Sequence, residues 1–158
     1  MGSPVVVDTN VLIVANGRDV EQAAPSCVRK CAEELRTITD GGILVLDSGM
    51  EILREYRRKV NQSGSPGIGD GFLKWALTNL ANASRCHRVA ITPNAARGYD
   101  EFPEDPDLTT FDRSDRKFVA VARAHPGRPT ILNATDSDWA NANAALVRHG
   151  VLVQELCP

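Results

Sequence analysis

The sequence predicts an α/β fold, a central and mainly parallel twisted sheet in a three-layer α/β/α sandwich. Two observations carry that expectation. Short unbroken apolar runs at Val5–Val7, Ile43–Leu46 and Ile131–Leu132 read as strands buried on both faces, as a parallel sheet requires. Between them lie longer stretches of helical periodicity, the alternation that sets a helix between successive parallel strands.

The elements follow in order. Pro4–Val7 is a β-branched strand ended by Asp8, and Thr9–Ala15 a short helix. Pro25–Asp40 is a helix with proline suited to its first turn and Gly41–Gly42 to close it. Ile43–Leu46 is a second strand, and Ser48–Val60 a second strong helix. Asn61–Asp70 is rich in Gly, Ser and Pro and reads as a loop. Gly71–Ala83 is helical, burying Phe72, Trp75, Ala76 and Leu80, and Val89–Thr92 is a strand. Pro93–Thr110 is a long acidic loop, and loops of that length are often functional or disordered. Asp115–Ala124 (helix), Thr130–Leu132 (strand), Ser137–His149 (helix) and Val151–Gln154 (strand) complete the chain.

A length of 158 residues suits a single domain spanning 1–158, and 42% hydrophobic residues supply a continuous core. No run approaches the roughly 18 apolar residues that cross a bilayer, and no basic segment precedes an apolar one at the start. No membrane association and a cytoplasmic location are therefore expected. The net charge of −2 excludes a broadly basic, histone-like surface but not a nucleic-acid enzyme, because a carboxylate site itself lowers the charge. Cys27, Cys31, Cys86 and Cys157 form no CxxC pair, which leaves zinc weakly supported and reduced core thiols as the expectation.

The acids are more informative. Asp8 directly follows Val5–Val7, at the carboxyl end of a buried strand, where an α/β fold binds ligands and an isolated charge is costly. An N-cap role for Asp8 or Thr9 is the plain structural alternative. After the second strand, Ser48-x-x-Glu51 fits a capping box, which explains Glu51 and leaves Glu55 as the candidate, near the edge of the Ile52, Leu53, Tyr56, Val60 stripe. Asp115 stands three, four and seven residues before Phe118, Val119 and Ala122, so it shares the inward face of its helix, while Asp112 suits a cap. Asp136 and Asp138 follow the third strand and open a helix, and one of them would serve as a cap. Acids at several strand–helix junctions converge on one pocket, where a hard cation such as Mg²⁺ or Mn²⁺ relieves their repulsion. His87, His125 and His149 follow no such pattern and read as surface or cap residues.

These residues resemble the PIN-domain nucleases in order along nearly the whole chain: VVVDTNVLI at 5–13, ILREYRRKV at 52–60, SDRKFVAVA at 114–122 and ATDSDWA at 134–140. The resemblance implies a PIN-like α/β/α fold and metal-dependent hydrolysis of phosphodiester bonds, most often in single-stranded or structured RNA. It implies Asp8, Glu55, Asp115 and Asp136 as catalytic, metal-binding acids, with Asp138 as a further ligand, and Asn10 as a hydrogen-bonding group beside the first acid. Ala134 stands where the family commonly has threonine, which leaves the polar role there to Thr135 or Asn133. Many members are toxins of toxin–antitoxin pairs, and many of those are homodimers. The resemblance therefore admits an antitoxin or other protein partner, and a homodimer, besides an RNA substrate.

Positive charge to hold a phosphate backbone is at hand in Arg54 and Arg58 beside Glu55, and in Arg116 and Lys117 beside Asp115. A solvated, ion-paired helix face explains the same residues. Two other functions compete: a catalytically weak PIN-like module that binds RNA or protein, and a haloacid-dehalogenase-like phosphatase. The phosphatase needs a second acid two residues after the first, where this chain has Asn10.

Overall fold

A computed structural model describes residues 2–17, 23–61 and 67–158. The central sheet has five strands: β1 (Pro4–Val7), β2 (Ile43–Asp47), β3 (Cys86–Val89), β6 (Thr130–Asn133) and β7 (Val153–Glu155), in the spatial order β3-β2-β1-β6-β7. Every pairing in it is parallel, with Val5 opposite Leu44 on one side and Val7 opposite Leu132 on the other. The chain steps outward from β1 through β2 to β3, then returns to the far side of β1 with β6 and continues to β7. That reversal puts a topological switch point between β1 and β6.

Helices α1 (Thr9–Ala15), α2 (Pro25–Gly41), α3 (Glu51–Lys59), α4 (Ile68–Asn79), α5 (Arg116–Ala124), α6 (Ser137–Asn141) and α7 (Asn143–Arg148) complete the fold. α1, α2 and α4 pack on one another, while α5 lies against β1, β2 and β6, an arrangement compatible with three α/β/α layers. The amphipathic stripes fall where the periodicity put them: Ile52, Leu53 and Tyr56 of α3 and Phe118, Val119 and Ala122 of α5 are buried in one cluster with the strands. Gly69 permits close contact between α4 and α1, since a Cβ there would stand 2.0 Å from the Leu12 carbonyl oxygen. No helix is long and apolar enough to cross a membrane, among the described residues.

Several boundaries differ from the sequence expectation. α3 starts at Glu51, not Ser48, because Asp47 caps it: its Oδ2 accepts from the Glu51 amide at 2.8 Å and its Oδ1 from Ile52 at 2.9 Å. Glu51 is exposed and pairs with Arg54, so the expected capping box does not form. α4 begins at Ile68 rather than Gly71, and the loop expected over 61–70 falls partly on 62–66, outside the described residues. β3 runs over Cys86–Val89, earlier than the Val89–Thr92 expected from its apolar residues. It is an edge strand, so the polar His87 and Arg88 are tolerated within it. The helix expected over Ser137–His149 breaks at Ala142, between Asn141 and Asn143, residues that compete with the helix backbone for hydrogen bonds.

The long segment 93–110 is structured. It contains an antiparallel pair, β4 (Pro93–Asn94) with β5 (Gly98–Tyr99), and a single 3-10 turn at Pro106–Leu108. Phe102, Leu108 and Phe111 bury themselves in the core. Two expected core thiols, Cys27 and Cys157, are joined in a disulfide, which corrects the reading of all four cysteines as reduced. Cys31 and Cys86 are free and buried, and burial pushes the Cys31 thiol up to about 11.

Candidate metal centre

The carboxyl ends of β1 and β6 meet at the switch point, and the acids gather there. Asp8 follows β1 and is only 4% exposed. It is also the N-cap of α1, its Oδ1 accepting from the Asn10 amide at 3.1 Å, as the plain structural alternative had it. Its Oδ2 accepts a 2.6 Å bond from the indole Nε1 of Trp139, a fully buried residue of α6. Burial raises Asp8 to about 6 despite those two donors.

Asp115 closes a 3-10 turn (Arg113–Asp115) that runs directly into α5. Asp112 caps that turn through the Ser114 amide at 2.9 Å, as the sequence suggested, and leaves Asp115 facing inward at 8% exposure. Burial, with the charges of Asp8, Asp136, Asp112 and Glu55 added, raises Asp115 to about 8. Asp136 caps α6 through the Asp138 amide at 2.9 Å. Carboxylate oxygens of Asp8, Asp115 and Asp136 all lie within 4.8 Å of one another. A second group, Asp112, Asp115 and Asp138, shares Asp115 with the first and is more exposed. Asp138 is raised by the neighbouring Asp136 charge.

The donor set fits a hard divalent cation. It is all oxygen and like-charged, and burial, with the neighbouring carboxylate charges added, raises Asp8 and Asp115. Glu55 is placed differently. It is 8% exposed and takes a hydrogen bond from the Thr9 hydroxyl and an ion pair with Lys117 Nζ at 2.8 Å. It belongs to neither three-acid group, although its charge reaches both Asp8 and Asp115.

Comparison of the chain with protein-family models, curated proteins and solved structures found no match.

Asn10 joins the two strand ends, its Nδ2 donating to Asn133 Oδ1 at 2.8 Å and its Oδ1 accepting from the Ala134 amide at 3.0 Å. Asn133, fully buried, also donates to the Asp136 carbonyl at 2.8 Å and to Glu155 at 2.6 Å. Of the two residues weighed for a polar role there, Asn133 is buried and hydrogen-bonded at the end of β6, whereas Thr135 is exposed. The basic residues divide. Lys117 is buried on Glu55 and also bonds the Ser114 carbonyl, so it is not free to meet a phosphate. Arg116 turns into the 93–111 segment, bonds the carbonyls of Phe111, Arg97, Leu108 and Thr109, and lies 4.6 Å over the Phe102 ring. The structure thus corrects its assignment to substrate binding. Arg54 pairs with Glu51, while Arg58 borders an open cleft with Arg57, Lys59 and Asn16.

Sequence reasoning missed Thr9, Trp139 and Asp47. Only Asp47 left a usable signal, an acid at a strand end four residues before an apolar stripe. The Thr9 and Trp139 contacts arise from pairings across 46 and 131 residues. The histidines are as expected at two positions: His125 and His149 follow α5 and α7 as caps. His87 instead stacks on His125, with Nδ1 to Nε2 at 2.9 Å.

Proposed function

We propose that this chain is a PIN-like, metal-dependent nuclease that hydrolyses phosphodiester bonds of RNA. The observation that carries the reading is the convergence of Asp8, Asp115 and Asp136 at the β1–β6 switch point, Asp8 and Asp136 from the strand–helix junctions after β1 and β6 and Asp115 from the 3-10 turn that leads into α5. The four-block resemblance noted in the sequence supports the same reading. Asp8, Asp115 and Asp136 would hold Mg²⁺ or Mn²⁺, with Asp138 at the second group. When bound, such a cation supplies a water of lowered pKa and positive charge for a phosphodiester oxyanion.

The chain's own residues prepare that chemistry. Trp139 and the Asn10 amide each engage one oxygen of Asp8, which fixes the plane of the carboxylate. Asn10 and Asn133 lock β1 to β6 and so hold Asp8 and Asp136 in register. Glu55 stands beside the group, ion-paired with Lys117 and hydrogen-bonded by the Thr9 hydroxyl. Arg58 and its neighbours on α3 offer charge for the substrate backbone.

The buried Lys117–Glu55 pair also favours a second reading, a PIN-like module that binds RNA or protein without cutting, because it withdraws one acid from cation binding. One assay separates the two. Purified chain with Mn²⁺ or Mg²⁺ is expected to cleave single-stranded RNA, and cleavage should vanish with a chelator and in Asp8→Asn and Asp115→Asn. Equal cleavage by wild type and both variants means a contaminant and removes the proposal. RNA binding with no cleavage establishes the second reading.

A further inference from the structure

We propose that Cys27, Cys31 and Cys157, when reduced, form a second metal site, a three-thiolate seat for Zn²⁺ whose fourth position opens to solvent. Cys27 and Cys31 lie one turn apart on the same face of α2, in its first two turns. Cys157 arrives from the opposite end of the chain, just after β7, and meets them there. The three sulfurs all lie within 4.8 Å of one another, with Cys31 Sγ 4.0 Å from Cys157 Sγ. Thiolates bound to tetrahedral zinc at about 2.3 Å stand roughly 3.8 Å apart, a spacing that Cys31 and Cys157 already approach and that Cys27 and Cys157, bonded to each other here, reach only after reduction lets them separate.

The surroundings suit such an ion. Cys31 is fully buried, which shields one side, whereas Cys27 and Cys157 face a cleft of about 450 Å³ shared with Ser26 and Thr135. A water in that cleft completes four-coordination. The two centres would sort their cations by softness: sulfur here, oxygen at Asp8, Asp115 and Asp136.

The Cys27–Cys157 disulfide is the oxidised form of this seat. Two molecules of a low-molecular-weight thiol, oxidised to their own disulfide, or one phosphine, oxidised with water to its oxide, supply two electrons and two protons, and the bond opens to two thiols beside Cys31. Zn²⁺ then displaces three protons, one from each sulfur. Disulfide and metal use the same sulfur atoms, so they exclude each other.

The test uses the full chain, oxidised and phosphine-reduced, with Co²⁺ as spectroscopic probe and Zn²⁺ as competitor. Reduced chain should show a near-ultraviolet thiolate-to-cobalt band at one equivalent, abolished by Zn²⁺, and oxidised chain should show none. Cys31→Ser and Cys157→Ser should each weaken binding at least tenfold, while Cys86→Ser and Asp115→Asn should retain it. Circular dichroism accompanies each sample. A reduced chain that lacks the band, whether folded or unfolded, overturns the proposal, as does a band that persists in both Cys31→Ser and Cys157→Ser. The Asp115→Asn sample keeps the result independent of the acid centre.

Discussion

Lys117 Nζ lies 2.8 Å from Glu55 Oε1, and both side chains are buried. The acid that α3 brings to the site is therefore already neutralised by a residue two positions beyond Asp115 on the neighbouring turn. Lys117→Met removes the cation and leaves Glu55 buried with only the Thr9 hydroxyl as donor. Breaking a buried pair from one side typically costs about 3–5 kcal/mol, which urea unfolding of the metal-free chain should show. The double variant Lys117→Met/Glu55→Gln should recover most of the loss. Mn²⁺ affinity of Lys117→Met should rise severalfold, because a freed carboxylate joins the group. An unchanged urea midpoint would mean that the pair contributes nothing.

Stability of the metal-free chain should fall as pH rises. Asp8 and Asp115 are raised from 3.8 to about 6 and about 8, so the folded chain holds more protons than the unfolded chain between those limits. Stability decreases with pH wherever the folded state binds the extra protons. The melting temperature should thus decline from about pH 4 to about pH 8, and Mn²⁺ should restore most of it at the upper end. In Asp115→Asn the decline should be shallower, stop near the Asp8 value, and respond less to Mn²⁺. A profile that rises with pH in this window would contradict the burial of both acids.

Arg116 holds the 93–111 segment rather than a substrate. Arg116→Lys keeps the charge but cannot reproduce a planar fork that bonds several carbonyls at once. We expect a loss of about 1–3 kcal/mol from carbonyls left without donors, and faster proteolytic cleavage within 93–110. RNA affinity should change little, whereas Arg58→Ala should weaken it and leave stability unchanged. Equal protease resistance in Arg116→Lys and wild type would show that the aromatic contacts of Phe102 and Phe111 suffice.

The sequence by itself determined the alternation of strands and helices, the buried stripes of α3 and α5, and the acids at strand ends, because all of these follow from local periodicity and chain direction. Asp115 was legible for that reason: its spacing to Phe118, Val119 and Ala122 forces it inward whatever the rest of the chain does. Tertiary structure decided which acids meet. The order β3-β2-β1-β6-β7 brings Asp8 beside Asp136 and makes Asn10 span to Asn133, 123 residues away. It also ties Glu55 to Lys117, turns Arg116 away from the site, and joins Cys27 to Cys157 across 130 residues. Such pairings depend on sheet order and register, which set the position of residues far apart in sequence and leave no trace in the local pattern around either partner.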